Sequence, residues 1–204
     1  MDKFTTLSAV AAPYPRPNVD TDLIIRAERC ARVAKEALGP YAFEMVRFLA
    51  DGSENPDFPL NREPFRHAQI LVGGVNFGCG SSREMAVWAI QGLGIRCVIA
   101  PSFGEIFYGN CLQNGLLPVR LPQASVESIA AALAADPARA VLGVDLERQR
   151  VTGPEGSEHA FDIEPLHKQA LLEGLDAIGM TLLRATEIAD FQRRDRSQRP
   201  WIYL

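Results

Sequence analysis

Gln69-Ile70-Leu71-Val72-Gly73-Gly74-Val75-Asn76-Phe77-Gly78-Cys79-Gly80-Ser81-Ser82-Arg83-Glu84-Met85-Ala86-Val87-Trp88-Ala89-Ile90 carries the chain from a strand to a helix through a glycine-bearing loop. Gln69–Val75 is apolar enough for a buried strand, and Glu84–Ile90 repeats its apolar residues at a helical interval. Gly78 and Gly80 permit positive φ and close approach of backbone. Ser81 falls at the expected N-cap, with Glu84 three residues on, the spacing of a capping box. Open N–H groups at a helix start, beside the guanidinium of Arg83, suit a carboxylate or a phosphate. Two readings stay open on these residues: a turn with a serine cap, or an anion site built from Ser81, Ser82 and Arg83. Spacing removes two others. There is no Gly-x-x-x-x-Gly-Lys-Ser/Thr nucleotide loop, and Gly80-Ser81-Ser82 lacks the second glycine of a hydrolase elbow.

Downstream the alternation continues. Ile95–Ala100 reads as a strand, and Pro101-Ser102-Phe103-Gly104 leads into a helix through Leu112 that Asn114-Gly115 closes. Leu116–Leu121 returns as a strand whose Pro118 assigns it to an edge. Strand and helix in turn imply parallel pairing, with helices on one face. Upstream, the segment through Arg26 reads as extended and turn-rich, restricted by Pro13, Pro15 and Pro17. The side chains of Asn18-Val19-Asp20-Thr21-Asp22 are expected to bond their own backbone, which makes Asp20 and Asp22 structural. Leu23-Ile24-Ile25 reads as a short strand or turn, Arg26–Phe48 as two short helices split at Gly39-Pro40, and Asp51–Arg66 as a polar, mobile surface connection.

Beyond Leu121 the pattern changes. Val126–Ala135 is an Ala-rich amphipathic helix, and Val141–Glu147, Gln149–Val151 and Ala160–Ile163 are short strands around a turn at Gly153-Pro154-Glu155-Gly156. Leu166–Gly174 is helical, and a last helix over Thr186–Arg194 is capped by Thr186. The sum is an α/β chain with a barrel-like mixed sheet flanked by helices, rather than an open Rossmann sheet. A length of 204 residues supports one domain spanning 1–204.

Charge and cysteine usage bound the function. A net charge of −4 gives no electrostatic footprint for nucleic acid, and the basic run Arg193-Arg194-Asp195-Arg196 is broken by an acid, as at a solvated helix end. Apolar runs fall short of the ~20 residues that span a bilayer. Met1-Asp2-Lys3-Phe4 lacks the pattern of a secretory signal, so the chain reads as cytoplasmic with no membrane partner. Cys30, Cys79, Cys97 and Cys111 form no Cys-x-x-Cys pair, and His67, His159 and His167 are scattered, so no metal site is expected on this chain. Cys97 reads as a small core residue. Cys79 lies beside a helix N-terminus, which favours a thiolate, yet it has no neighbouring His and is assigned a packing or backbone role.

Taken together, Asn18-Val19-Asp20-Thr21-Asp22, Asn76–Glu84, Ala100-Pro101-Ser102-Phe103, Ile106–Cys111, Asn114-Gly115-Leu116-Leu117-Pro118 and Leu171–Leu182 resemble, in order, the small subunit of 3-isopropylmalate dehydratase. The likeness runs from about residue 5 to 192, with the C-terminal helix and tail over 186–204 at its end. It implies the swivelling β/β/α domain of the aconitase superfamily, like the aconitase C-terminal domain. It also implies a separate large subunit that holds a [4Fe–4S] cluster. The implied reaction isomerises 2-isopropylmalate to 3-isopropylmalate through 2-isopropylmaleate, in leucine biosynthesis.

By this resemblance Ser81 is the catalytic base, acting as an alkoxide, while Ser82 and Arg83 hold a carboxylate of the dicarboxylate substrate. A serine base requires the helix N-terminus, neighbouring amides and Arg83 to stabilise the alkoxide, with Gly78 and Gly80 letting those amides converge. Two departures from the family pattern stand out. Met85 occupies the place of a common His and reads as a core Met. Arg26–Pro40 departs from the usual substrate-recognition loop, and its Arg29 and Arg32 are assigned to a solvated helix face. Two alternatives accompany the main reading: the same chemistry on citramalate or dimethylmalate, and a non-catalytic anion-sensing subunit.

Overall fold

The computed structural model describes residues 1–80 and 83–203. Strands β1 (Thr6–Tyr14), β2 (Ile70–Gly73), β3 (Cys97–Ala100), β4 (Leu117–Arg120), β5 (Val141–Asp145), β6 (Arg150–Thr152) and β7 (Glu158–Ala160) form one sheet in the order β4-β3-β2-β1-β5-β6-β7. The helices are α1 (Thr21–Ile24), α2 (Ala27–Arg32), α3 (Glu44–Arg47), α4 (Glu84–Gly92), α5 (Glu105–Asn114), α6 (Gln123–Ala135), α7 (Pro165–Glu173), α8 (Ala177–Leu182) and α9 (Ala185–Gln198).

Strand β1 joins two kinds of pairing. Its first part, Thr6 to Val10, runs antiparallel to β5, ending at Val10 opposite Val141. From Ala11, opposite Ile70, it runs parallel to β2. Burial changes at the same place. Thr6 and Ser8 are exposed and Leu7 is buried, whereas Ala11 through Tyr14 are all buried. That is the difference between a sheet with one wet face and a sheet covered on both.

The segment read as turn-rich therefore supplies the central strand. Pro13 is tolerated there for a definite reason. The amide of Ala11 donates to Ala140 O at 2.8 Å, on the β5 side, and strand amides alternate, so Pro13 faces the same side beyond the end of β5. No ladder bond is lost. Pro118 obeys the ordinary rule, lying in β4 at the sheet's edge as its sequence indicates.

Every residue of β2 and β3 is buried, which requires cover on both faces and corrects the one-face arrangement. The crossovers β2-α4-β3 and β3-α5-β4 run in one direction, so a common hand puts α4 and α5 on a common face, where they pack together. Helix α6 returns the chain from the edge strand and lies across β1, β2 and β3.

Other local expectations shift for visible reasons. Leu23-Ile24-Ile25 is not a strand: the Asp20 carboxylate accepts from Leu23 N at 2.7 Å and caps α1. The segment from Arg26 to Phe48 breaks into α2, two 3-10 turns and α3. Asp51–Arg66 runs largely over the surface, as expected, but is pinned to it at a few points. Phe58, Leu60 and Phe65 are buried, and buried Asn61 donates to Arg47 O at 2.6 Å and Asn55 O at 2.9 Å. The strand expected over Ala160–Ile163 sits earlier, as β7. The last helix begins at Ala185, so Thr186 lies inside it and not at its cap. Helix α8, opened by Asp176 accepting from Gly179 N at 2.7 Å, is an element that the sequence pattern does not announce.

Fully buried Leu71, paired with Ala12 and Val98 at the centre of the parallel half, tests this core. Leu71→Ala is expected to lower unfolding free energy by about 2–5 kcal/mol in urea denaturation, while Val141→Ala, at a 45% exposed position, stays within about 1 kcal/mol.

Candidate active site

The carboxyl ends of β1, β2 and β3 lie side by side, the usual place for a ligand in an open parallel sheet. Loop 76–80, which leaves β2 here, is bonded on both flanks as if it were a further strand. On one side Asn18 N donates to Val75 O at 2.9 Å, Gly78 N to Val19 O at 2.7 Å and Thr21 N to Cys79 O at 3.0 Å. On the other, Phe77 N donates to Ser102 O at 3.0 Å, Gly104 N to Phe77 O at 2.9 Å and Asn76 N to Ser102 Oγ at 2.9 Å. Asn76 Nδ2 also donates to Asn18 Oδ1 at 2.8 Å. The amides of Asn76, Phe77 and Gly78 thus fix the loop. Gly78 does not turn its amide toward a ligand, which corrects one part of the expected amide convergence.

What Gly78 provides is contact. Its φ is +71°, and a Cβ there would stand 2.2 Å from the Phe107 ring. Phe107 belongs to an aromatic floor with Phe77 (centroids 5.7 Å apart) and Phe103 (6.5 Å, nearly parallel). Gly104 closes from the other side, where a Cβ would meet Gly78 O at 2.5 Å. Gly80 has a φ of +89° but room around it: a Cβ placed there would lie 3.5 Å from Asp20 Cβ.

Ser81 and Ser82 lie outside the described residues. The helix that follows begins at Glu84, and its cap position falls on Arg83, whose backbone is extended (φ −120°, ψ 103°), two residues later than the expected cap at Ser81. The expected capping box involves Ser81 and so lies outside the described residues; Glu84 Oε1 accepts from Asn114 Nδ2 at 2.8 Å. Asn114 also accepts from Trp88 Nε1 at 2.8 Å and donates to Asn110 O at 2.9 Å, so one amide ties the start of α4 to the end of α5.

The Arg83 guanidinium is ion-paired through Nη1 with Asp22, and this carboxylate raises the Arg83 pKa against the opposing effect of burial. The Arg83 side chain is 21% exposed and Asp22 59%, so the pair sits at the rim, open to solvent on one side. A guanidinium carries five N–H donors, and one acidic partner does not exhaust them. Asp20 caps α1 as expected. Asp22 does not bond its own turn; it joins the site from a different loop.

The thiol of Cys79 is pushed up by burial and then by Asp20, so it remains protonated at neutral pH. This supports its packing role. Burial likewise pushes up Cys30 on α2, with Arg83 opposing, so segment 26–40 reaches the neighbourhood of the guanidinium. Arg29 is committed elsewhere: its Nε and Nη2 grip the Glu44 carboxylate at 2.8–3.1 Å and its guanidinium stacks on Tyr41 at 4.3 Å. Arg32 is exposed, and Met85 packs, half-buried, against the core.

Three family models match the chain: the aconitase C-terminal domain over residues 1–124, LeuD_N over 127–165, and the C-terminal domain of the 3-isopropylmalate dehydratase small subunit over 178–203. Proteins named 3-isopropylmalate dehydratase small subunit from Paramagnetospirillum magneticum and Rhodospirillum rubrum are 50% and 49% identical over 99% of this chain, which cover 100% and 97% of those proteins. One from Gluconobacter oxydans is 50% identical over 99% of this chain and 96% of its own length. The fold is shared with a crystal structure of 3-isopropylmalate dehydratase from Methanocaldococcus jannaschii (TM-score 0.66, 23% identity, 91% of this chain and 98% of that one).

The two loop glycines separate packing from conformation. Gly78→Ala is expected to destabilise the protein by about 1–3 kcal/mol, through collision with Phe107 added to left-handed strain. Gly80→Ala, with strain alone, is expected to cost about 1 kcal/mol; paired thermal and urea unfolding of both variants is the check.

Proposed function

The chain belongs to the 3-isopropylmalate dehydratase small-subunit family, and on that premise we propose that it supplies half of a hydro-lyase active centre acting on 2-isopropylmalate in leucine biosynthesis. The other half comes from a large subunit. The observation that carries this reading is the charged Arg83, anchored by Asp22 beside the Ser81-Ser82 pair, at the carboxyl ends of three parallel strands.

Moving a hydroxyl between neighbouring carbons by loss and return of water requires three things: a base for a weakly acidic C–H, an acceptor for the departing hydroxyl, and cations for two carboxylates. In this reading Arg83 receives one carboxylate through the donors Asp22 leaves over, and Ser82 adds a hydroxyl to the same group. Ser81 takes the C–H proton on its Oγ and later returns one. An alkoxide there depends on the positive end of α4 and on Arg83, which the Asp22 pair holds charged and in place.

This chain does not itself fit the iron–sulfur cluster that the family implies. Among the described residues no three His, Cys, Asp or Glu side chains gather as ligands, and Cys97 and Cys111 are fully buried, with thiols pushed well up by desolvation. Lewis-acid help for the departing hydroxyl is assigned to the large subunit, and the roles of Ser81, Ser82 and Arg83 are separate from it. Among the described residues no helix is long and apolar enough to cross a membrane.

In the assembled pair, Ser81→Ala is expected to lower kcat on 2-isopropylmalate by about 10²–10⁴-fold while assembly by gel filtration is retained; unchanged turnover would leave an anion-sensing subunit instead. Arg83→Lys, which loses the planar fork, is expected to lower kcat/KM by about 10²-fold. A panel of 2-isopropylmalate, citramalate and dimethylmalate assigns the substrate, with 2-isopropylmalate expected to give the highest kcat/KM.

A further inference from the structure

The C-terminal arm exposes apolar side chains that no intramolecular role uses. Ile178 and Leu182 on α8, Leu183 just after it, Phe191 on α9, and Trp201 and Ile202 in the tail are each more than half exposed. Six large side chains in that state, spread over α8, α9 and the tail, present on the order of 600 Å² of apolar surface, near the ~800 Å² each partner gives a stable interface. Leu183 also lines a groove of about 600 Å³ between α5, α7, α8 and α9, together with Leu112, Leu166, Met180 and Ile188.

Helix α9 adds little to the core, since only Asp195 of its residues is buried. A lone helix of this length is marginal in water. The tail is nevertheless held in shape. The Asp195 carboxylate accepts from Arg199 Nε and from Tyr203 OH, each at 2.7 Å, folding the last turn back on α9 with Trp201 and Ile202 outward. A surface ordered before it binds loses less entropy on binding.

We propose that this arm is the docking surface for the 3-isopropylmalate dehydratase large subunit. The part of the chain matching an aconitase domain ends at residue 124, whereas 178–203 match a segment described for the small subunit itself. The addition is thus specific to a subunit that must hold its partner without a covalent link. Of the exposed arginines of this arm, Arg193 is ion-paired with Asp190 and Arg196 stacks on Tyr203, so Arg184 and Arg194 are the cations that call for acidic residues on the partner. Helix α5 runs about 12 Å from Gly104 at the loop to Leu112 in the groove, so docking and chemistry occupy different ends of one helix. The choice of partner rests on the proposed function; the existence of the docking face does not.

The test measures binding, not turnover. Purified large subunit is titrated against the parent chain, a Leu182→Glu/Phe191→Glu variant and a Trp201→Ala/Ile202→Ala variant, with far-UV dichroism as the fold check. Affinity is expected to fall at least ~30-fold in the first variant and measurably in the second, with helix content unchanged. If the glutamate variant unfolds, the alanine variant decides. Parent-like affinity in both variants, no binding by the parent, or a parent homodimer that the substitutions split would each overturn the proposal. A tight parent pair that is weakened by the substitutions but turns over no 2-isopropylmalate would support the docking face and refute the catalytic reading.

Discussion

One strand has to satisfy two ladders of different polarity. The first half of β1 belongs to an antiparallel meander with one wet face, and the second half to a parallel sheet covered on both sides. Val10 and Ala11 mark the change, where Gln69 N donates to Val10 O and Ala11 N donates to Ala140 O. Had the parallel register slipped by one residue, every side chain from Ala11 onward would change faces. Helix α6 lies across the strands there, and Ala11 and Ala12, small and on opposite faces, let the covering layers approach from both sides. The carboxyl end of β1 then delivers Asn18–Asp22 beside the loop that leaves β2, so the site inherits its geometry from this register.

The loop's rigidity and its chemistry make opposite demands on the same backbone. Amides 76–78 are spent on neighbouring loops, and Gly78 and Gly104 let the strands close onto the aromatic floor with no side chain between them. Among the described residues, that leaves Gly80 and Arg83 as the parts of this segment that can face a ligand. Gly80 has a left-handed backbone and free space, while Asn114 anchors Glu84 just beyond. A fixed stem with an open rim suits a site completed by a second surface, because the stem sets direction and the rim remains accessible.

How much of this is legible in the residues alone follows from the range of each cause. Gly115 ends α5 in the left-handed conformation, and Pro118 sits on an edge, because the determinants lie within a few residues. Strand β1 is hidden because Pro13 ordinarily argues against a central strand, and only the short reach of β5 makes it harmless. Asp22 resembles a turn residue because nothing local points to Arg83. Asn114 resembles a helix end, while its side chain bridges two helices. The motif Asn76–Glu84 marks the loop locally, but the bond that Glu84 accepts from Asn114 on α5 has no local signal.

Under the proposed function, the Asp22–Arg83 pair then decides what the site can bind. With Arg83 about one-fifth exposed and Asp22 more than half exposed, solvent screens the pair and its contribution to stability alone is small. Covering the rim with a second protein would remove that screening and strengthen every charge interaction within. A carboxylate arriving at the remaining donors of Arg83 would then share the cation with Asp22, and two acids around one guanidinium carry a net negative charge. Under the proposed function, further cationic stabilisation is therefore assigned to the covering surface of the large subunit.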